Sequence, residues 1–473
     1  MILLIFLRVF VWAFFLTLFS CLSIGLVSSS TIPQEWQAAV NSADMLYAPN
    51  DENIDRNYMP MIGNGMVALQ IGNDEMYISG VFNNYTHYWT SSHRAVIPTG
   101  IASISVKAPG VSSDAALDIR NARYLRRSFI EPAADQSAPC TVSSLISCTN
   151  SIERIVIEQR FYAHRTIPTV LVMEVEVISG GLSGDPDLPY AMLLLENESP
   201  NTYTIDVNFT SVDNGVDLGS SPIIPEQASA YSAYFGWTQI PEAHPYCPPP
   251  CDPAARSKLD SDSPDFSGLT AIGLLASKIG MVEVTKVNQV DYFFTIVRTS
   301  IETPPGDIIS SLQADFDKVT SMAADGTLFS THARDWADTI WSSGYETDRL
   351  DVARAVNTSI YAIVSSFRED RPFSLSPGGL TQGYNGHTFW DCETWMYPPI
   401  LFLYPDLAAS LIQYRYDRLE GAREKARSYT PPYSGAMFPW ESAYSGGETC
   451  PYFAGTGLRE IHISGDVSFA VWQ

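Results

Sequence analysis

Alternating apolar positions dominate the first part of the chain. Between residues 66 and 177 apolar and polar side chains repeatedly alternate, as in Val67, Leu69 and Ile71. Alternate side chains of a strand point to opposite faces, so this period of two predicts strands with a buried face. Pro, Gly and Ser interrupt the pattern at short intervals, which favours short strands joined by turns over alternating strands and helices. We predict a large antiparallel sandwich.

The pattern changes near Pro305. From Leu350 to Val364 the apolar residues follow a period of 3.6, which predicts a helix. Another helix is predicted to begin at Tyr404-Pro405-Asp406, because proline suits the first turn. The chain is therefore expected to be α+β, with strands first and helices second. The predicted segments are a signal peptide at 1–30, a β-sandwich domain at 31–305, a helical linker at 306–345 and a second, helical domain at 346–473.

The first thirty residues form a hydrophobic leader. They carry one charge, Arg8, followed by an apolar run at 9–19 and small residues up to Ser30. This order is typical of a cleaved signal peptide. The alternative is an uncleaved anchor, because residues 9–27 are nearly long enough to span a bilayer, although polar residues weaken that interpretation. We predict a secreted or lumenal protein without membrane contact after cleavage.

Charge excludes several classes of partner. The chain has 473 residues, 28 basic and 52 acidic, for a formal net charge of −24. Such an excess of negative charge repels nucleic acid and anionic membrane surfaces, so neither is an expected partner. Asn-X-Ser/Thr sequons agree with secretion and predict glycosylated surface positions. The predicted acceptors are Asn84, Asn197, Asn208 and Asn357.

Cysteine usage fits an oxidising compartment. Of seven cysteines, Cys21 falls in the leader, and an even number remains for disulfides. Cys392 and Cys450 have no evident partner, and no activating base marks either as a nucleophile. The sequence shows no zinc spacing, so we predict no metal and no organic cofactor. The candidate local pairs are Cys140 with Cys148 and Cys247 with Cys251.

The C-terminal third combines tryptophans with carboxylates in three segments. Sugar sites need aromatic faces to stack against a pyranose ring and carboxylates to hold its hydroxyls. A single Trp-Asp pair is more often a packed ring beside a helix-start carboxylate. The combination of three such segments nevertheless indicates a sugar site. The candidate substrate-binding residues are Trp390, Asp391, Trp440, Glu441, Glu460 and His462.

Asp391 and Glu393 resemble an acid and base pair at first sight. Residues two apart on a helix point in nearly opposite directions, so at most one of these side chains faces the site. Cleavage of a glycoside with inversion also needs two carboxyls roughly 6.5 to 9.5 Å apart. Carboxyls from different segments meet that separation more easily than this pair.

Four motifs follow one another in the C-terminal third. They are Ser376-Pro377-Gly378-Gly379-Leu380, Gly386-His387-Thr388-Phe389-Trp390-Asp391, Phe438-Pro439-Trp440-Glu441-Ser442 with Gly446 and Glu448, and Glu460-Ile461-His462 with Gly465-Asp466. They occur in the order seen in glycoside hydrolase family 65, which the chain resembles. The resemblance is dense from Ser374 onward and thin between residues 179 and 317. The first motif, the Trp440 segment and two upstream motifs, Gly63-Asn64-Gly65 and Ser92-His93-Arg94-Ala95, look most like those of family members that act on glucosylgalactosyl-hydroxylysine of collagen.

The resemblance implies a fold and an activity. It implies an N-terminal β-supersandwich, a helical linker and an (α/α)6 barrel whose loops hold an α-glucoside. The implied reaction is release of glucose by an inverting α-glucosidase, with a collagen-type glycopeptide as substrate. Acid trehalase and a disaccharide phosphorylase are the alternatives within the family. The resemblance gives Trp390 and Asp391 a sugar-binding role, and for the other four candidates we infer a wall or support role.

The barrel that the resemblance implies has twelve helices. Helices of about 11 to 12 residues would alone use up the length from Leu350 to Gln473. We therefore expect the first helices of the barrel here, and the general acid of the family, a glutamate, beyond Gln473. The expectation is a fragment, a truncated gene prediction or a short isoform. A competing hypothesis is an inactive or carbohydrate-binding product.

Overall fold

The computed structural model of the protein divides into two compact units, residues 1–38 and 39–473. The predicted leader, the sequon at Asn84 and the side chains of the two predicted local cysteine pairs lie outside the described residues. Within the described part, no helix is long and apolar enough to cross a membrane. The structure describes residues 32–50, 59–83, 93–108, 111–131, 148–149, 154–180, 191–197, 206–212, 231–238, 270–277, 279–371, 373–381, 383–450 and 454–473.

The largest sheet of the described part has nine strands, and every neighbouring pair is antiparallel. This confirms the antiparallel prediction for the first part of the chain. Short connections, residues 119–122 and 164–169, join two of these pairs, and longer stretches of chain separate the other neighbours. The spatial order is β1 (Met45–Ala48), β8 (Ser112–Asp118), β9 (Arg123–Ile130), β11 (Ile155–Ala163), β12 (Val170–Ser179), β18 (Val290–Thr299), β16 (Ala271–Ser277), β15 (Tyr231–Thr238) and β14 (Val207–Ser211).

Three smaller sheets complete the strands of the described residues. In one of them β13 (Ala191–Asn197) pairs with β7 (Ile104–Lys107), β10 (Cys148–Thr149) and β17 (Met281–Val284). Another is a three-stranded meander, and the last is a two-stranded ribbon. These are β2 (Met61–Gly63), β3 (Val67–Gln70) and β4 (Met76–Ile78), and β5 (Phe82–Asn83) with β6 (His93–Arg94).

Strand β12 shows why the large sheet is buried on both faces. Leu171, Met173 and Val175 lie in the larger hydrophobic core, whereas Val170 and Val172 lie in a second core. Alternate side chains point to opposite faces, so a continuous apolar run is what a strand covered on both sides requires. Helices cover the second face.

Helices follow the last strand, which ends at Thr299. The predicted change from strands to helices near Pro305 is confirmed, while the domain boundaries drawn at residues 305 and 345 stay predictions. The helices are α1 (Gln34–Asn41), α2 (Ile308–Ala324), α3 (Leu328–Asp335), α4 (Leu350–Val364), α5 (Tyr397–Leu403), α6 (Pro405–Asp417), α7 (Leu419–Arg427), α8 (Thr456–Arg459) and α9 (Ile463–Trp472), with π-helical turns at Trp336–Ile340 and Cys392–Met396 and 3-10 turns at Pro305–Asp307 and Gly383–Gly386.

Helix α2 packs directly on the large sheet. Its residues Ile308, Leu312 and Phe316 recur at helical spacing and are buried in the second core with strand β16. A Cβ atom added to Gly273 of β16 would lie 2.3 Å from Cγ2 of Ile308. The missing side chain at Gly273 therefore lets the helix approach the sheet closely.

Candidate functional site

An aromatic cluster forms where three distant segments meet. The Trp390 ring lies 4.6 Å from the Trp395 ring and 4.7 Å from the His462 ring, both centroid to centroid. The Trp440 ring lies 6.1 Å from His462 on another side. All three tryptophans are half-buried, and 40% of the His462 side chain is exposed. The cluster thus presents accessible ring surface of the kind that stacks on sugars.

Asp391 lies next to this cluster, just before the π-helical turn. Its carboxyl is half-buried and accepts a hydrogen bond from the Trp395 side chain. Burial raises the pKa of Asp391 above its ordinary value, and the bond from Trp395 offsets part of that rise. A half-buried carboxylate beside exposed rings can accept hydrogen bonds from sugar hydroxyls.

Glu393, two residues further on, has a different environment. Its carboxylate makes a two-point ion pair with Arg415 of α6, through Nε at 2.7 Å and Nη2 at 3.0 Å. The side chains of Glu393 and Arg415 are 1% and 3% exposed. Nη2 of Arg415 also donates to the Phe389 carbonyl at 3.1 Å. The prediction that at most one of the two carboxylates faces the site is confirmed, because the Glu393 carboxylate is buried in its ion pair with Arg415.

Glu441 is turned towards a buried histidine. Its Oε2 lies 2.8 Å from Nδ1 of His387, a residue with no exposed surface. Next to this pair, Thr388 and Ser442 exchange main-chain hydrogen bonds of 2.8 and 3.0 Å. The two segments that carry Trp390 and Trp440 are therefore joined side by side like a short piece of sheet.

Glu448 organises the segment around Trp440. Its carboxylate accepts main-chain N–H bonds from Trp440, Glu441 and Cys450 at 2.8 to 3.1 Å. It also accepts a bond from Nζ of the buried Lys425 at 2.6 Å. A carboxylate that gathers several main-chain donors fixes a loop that has no regular secondary structure.

His462 belongs to a small acidic group at the start of α9. Its Nδ1 lies 2.6 Å from the Asp466 carboxylate, and its Nε2 lies 3.6 Å from the Glu460 carboxylate. The ring is therefore held from two sides while its face meets Trp390 and Trp440. This arrangement fixes the orientation of one wall of the cluster.

The structure brings most of the predicted site residues together. Trp390, Asp391, Trp440, Glu460 and His462 lie in one contiguous cluster, whereas the Glu441 carboxylate points to His387. His387 and Glu448 lie within the family motifs, but the sequence indicated no role for either residue. Burial of a histidine beside a carboxylate depends on long-range packing, so no local sequence pattern predicts it.

The structure also bears on the cysteines and on one sequon. Cys392 is a buried free thiol, and burial raises its pKa to about 12, which keeps it protonated and unreactive. Sγ of Cys450 lies 3.0 Å from Oγ1 of Thr456.

The Asn357 side chain is half-buried and donates through Nδ2 to the Ala43 carbonyl at 3.2 Å, so a glycan there would require this bond to rearrange.

Comparison with known proteins gives a family match for the helical region. Residues 357–473 match the Glycosyl hydrolase family 65 central catalytic domain. The match begins in α4 and includes every residue of the aromatic cluster.

A relative that matches most of the chain extends the similarity to the strands. The chain is 34% identical over 453 residues to the protein-glucosylgalactosylhydroxylysine glucosidase of Dictyostelium discoideum, covering 93% of this chain and 55% of that protein. It is 41% identical over 187 residues to the kojibiose hydrolase of Flavobacterium johnsoniae, covering 38% of this chain and 27% of that protein. The chain thus spans about half the length of the curated relatives that it matches over most of its own length.

A solved structure is similar to this chain in fold. It is described as a kojibiose phosphorylase from human microbiome, with a TM-score of 0.54 and 13% sequence identity. The superposition covers 91% of this chain and 54% of that one. At this identity the likeness concerns the fold alone, and it includes the antiparallel sheets as well as the helices.

Proposed function

We propose that this chain belongs to an inverting α-glucosidase that releases glucose from a glucosyl disaccharide unit such as glucosylgalactosyl-hydroxylysine of collagen. The observation that carries the proposal is the cluster of Trp390, Trp440 and His462 with the Asp391 carboxylate beside it. The similarity to a glucosidase named for this substrate supports the choice.

Within this proposal the described residues bind the sugar. Trp390 stacks on the apolar face of the glucose ring, and Asp391 accepts hydrogen bonds from its hydroxyls. Trp440 forms the facing wall, while Glu460 and His462 hold that wall in place. We propose a binding role for these residues rather than a proton-transfer role, and their chemistry calls for no metal or organic cofactor.

The finer architecture is part of the same proposal. The nine-stranded sheet and its smaller partner sheets form the halves of a β-supersandwich, and the helices from α4 onward form part of an (α/α)6 barrel. The larger core supports the sandwich, since it contains residues of the nine-stranded sheet, such as Leu171, together with residues of the smaller sheets, such as Val67 and Leu193. The residues of the site then lie in loops at one end of the helices.

A second substrate is favoured by a specific observation. The kojibiose hydrolase of Flavobacterium johnsoniae is 41% identical over 187 residues. Glucosylgalactosyl-hydroxylysine and kojibiose both contain a glucosyl unit joined to a second hexose. Kojibiose is therefore the second candidate substrate, and trehalose tests the acid trehalase alternative.

Calorimetric titration of the recombinant chain with glucosylgalactosyl-hydroxylysine, kojibiose and trehalose tests the proposal, together with an assay for released glucose. We expect the first ligand to bind most tightly and Asp391→Asn to weaken it by about tenfold or more, because a charge-assisted bond becomes a neutral one. The matched control is Asp291→Asn, since burial also raises the pKa of Asp291 outside the cluster. Absence of binding and of glucose release with all three sugars would exclude the proposed function.

The pH dependence of binding follows from the Asp391 environment. Binding needs the ionised carboxylate, and the pKa of Asp391 is raised by burial above the ordinary 3.8. Affinity should therefore fall as the pH drops through a window above that ordinary value. The same titration with Asp391→Asn should show no such step, and an unchanged step would assign it to another group.

We also propose entry into the secretory pathway. The supporting features are the leader with Arg8 and its apolar run, and the sequons at Asn84, Asn197, Asn208 and Asn357. Mass spectrometry of protein expressed in a eukaryotic cell, before and after glycosidase treatment, tests both cleavage and glycan attachment. An intact leader on protein retained with the membranes would favour the anchor instead.

A further inference from the structure

Arg94, at the end of strand β6, reaches across to the helical half of the chain. Its Nη1 donates to the carbonyls of Gly379 and Thr381 at 3.0 and 3.1 Å, and its Nη2 donates to the carbonyl of Gly386 at 3.1 Å. These acceptors lie 285 to 292 positions further along the sequence. One guanidinium therefore gathers three main-chain carbonyls of the loop 379–386, which the structure describes at residues 379–381 and 383–386.

The Arg94 side chain is almost completely buried. Arg94 is 2% exposed, and burial lowers its pKa to about 10 because the interior penalises the charged form. The guanidinium also lies over the Phe82 ring at 5.7 Å. A buried cation is costly unless its donors are satisfied, so the three carbonyls and the arginine stabilise each other.

The loop that Arg94 holds has an unfavourable backbone. Tyr384 and Asn385 both adopt left-handed conformations, with φ of 55° and 57°. Such conformations persist when surrounding contacts determine them. Gly386 also has a positive φ of 72°, and a Cβ atom there would lie 2.8 Å from Cβ of Arg94. The absence of a side chain at Gly386 lets the guanidinium lie against the loop.

The loop leads directly into the proposed sugar site. Gly386 is followed by His387, which pairs with Glu441, and by Thr388, which forms the main-chain bridge to Ser442. The Phe82 ring of strand β5 lies 6.2 Å from His387. The ribbon of β5 and β6 thus contacts, from the sheet side, residues that lie three to eleven positions before Trp390.

We propose that Arg94 is a positioning residue for sugar binding, which fixes the loop 379–386 and thereby the Trp390–Asp391 pair. This inference rests on the proposed function of the Trp390 cluster. The sheet region then supplies part of the binding geometry, although none of its described side chains needs to touch the sugar. The class of ligand remains an α-glucoside.

Three variants test the inference in the full 473-residue chain. Arg94→Met removes the donors while keeping an apolar stem, Arg94→Lys keeps the charge with fewer directed donors, and Gly386→Ala forces the arginine away from the loop. The matched control is Arg165→Met. Arg165 is also buried, its pKa is also lowered to about 10 by burial, and its Nη1 donates to the Asn64 carbonyl outside the loop.

Two measurements separate this inference from the proposed function. Hydrogen exchange of peptides covering residues 376–391 reports the loop without any ligand, and calorimetry with glucosylgalactosyl-hydroxylysine reports affinity. For Arg94→Met and Gly386→Ala we expect exchange in the loop at least about tenfold faster and affinity at least about tenfold weaker. Arg94→Lys should recover part of both changes, and Arg165→Met should leave both values near those of the parent.

Each combination of outcomes has a definite meaning. Unchanged loop exchange in folded Arg94→Met would overturn the positioning role, and so would unchanged affinity in a parent chain that binds the sugar. A parent chain that binds no sugar would reject the proposed function, while faster loop exchange would still show that Arg94 fixes the loop. If Arg94→Met fails to fold, Arg94→Lys and Gly386→Ala provide the same two readouts.

Discussion

Asp391 and Glu393 lie two residues apart, and the structure predicts opposite consequences when each is changed. Replacing Glu393 by alanine leaves the Arg415 guanidinium in the interior without its two carboxylate bonds. Although burial by itself lowers the pKa of Arg415, the Glu393 charge raises it above its usual value, so the pair is tightly coupled. We expect Glu393→Ala to destabilise the fold.

The magnitude follows from burial. Removing one member of a buried ion pair costs about 3–5 kcal/mol, because the remaining charge has no compensation. With side-chain exposures of 1% and 3%, Glu393 and Arg415 belong to that class. The double variant Glu393→Leu with Arg415→Met should recover most of the loss, since buried pairs are often replaced by apolar residues at little cost.

Asp391→Asn should behave differently. Burial raises the pKa of Asp391, so folding disfavours its ionised form, and a neutral amide should leave the free energy of unfolding unchanged or slightly higher. Its effect should appear in glucoside affinity instead. The structure therefore assigns stability to one carboxylate and binding to the other.

Urea unfolding at neutral pH, followed by circular dichroism, measures these differences. Glu420→Ala is the exposed control, because Glu420 pairs with Arg423 and Arg427 at the surface and should change stability by less than about 1 kcal/mol. A loss below about 1 kcal/mol for Glu393→Ala would refute the argument from burial. A large loss for Asp391→Asn would show that Asp391 also serves the interior.

Three further predictions concern other contacts. In the buried pair His164 and His332, each Nε2 lies near a main-chain carbonyl and each Nδ1 near a main-chain N–H, and burial lowers their pKa values to about 4 and about 3. As the pH falls, these histidines bind protons at a higher pH in the unfolded chain than in the folded one. The free energy of unfolding measured with urea should therefore fall below about pH 6.5, by about 2 kcal/mol per histidine at pH 5. A flat pH profile would contradict this. Gly273→Ala should cost about 1–3 kcal/mol in the same assay, because its Cβ would overlap α2; an unchanged value would mean that the helix shifts freely. Glu448→Gln should lower both the melting temperature and glucoside affinity, since it leaves the buried Lys425 ammonium without a counter-charge, and unchanged affinity would separate that loop from the site.

Patterns with a fixed period were predictable from the sequence. The alternation around Val67 and Leu69 and the helical spacing from Leu350 to Val364 each follow from the geometry of one element, and the structure confirms both as β3 and α4. The same geometry separated Asp391 from Glu393 before any partner was known. Local periodicity predicts the face of an element on which a side chain lies, because that face is determined by neighbouring residues of the same element.

What lies against that face was not predictable in the same way. Arg415 meets Glu393 across 22 positions, and Arg94 meets Gly379 across 285. No period links such residues, so an arginine in β6 looks like any other polar residue near a turn. The family resemblance marked the motif that contains Arg94 without indicating a contact.

These long-range contacts determine which of the visible residue types can bind a sugar. The segment from Gly386 to Trp395 contains two carboxylates and two tryptophans. The Glu393 carboxylate pairs with Arg415 in the interior, whereas Asp391 is half-buried and accessible beside the rings. Arg94 holds the preceding loop from the sheet side, and Glu448 holds the facing segment. The composition of the site is therefore a local property of the sequence, whereas its geometry requires both the strands and the helices. An isolated helical region would keep the tryptophans and Asp391 but lose the three carbonyl contacts of Arg94, so it should bind glucosides more weakly than the chain that includes the sheets.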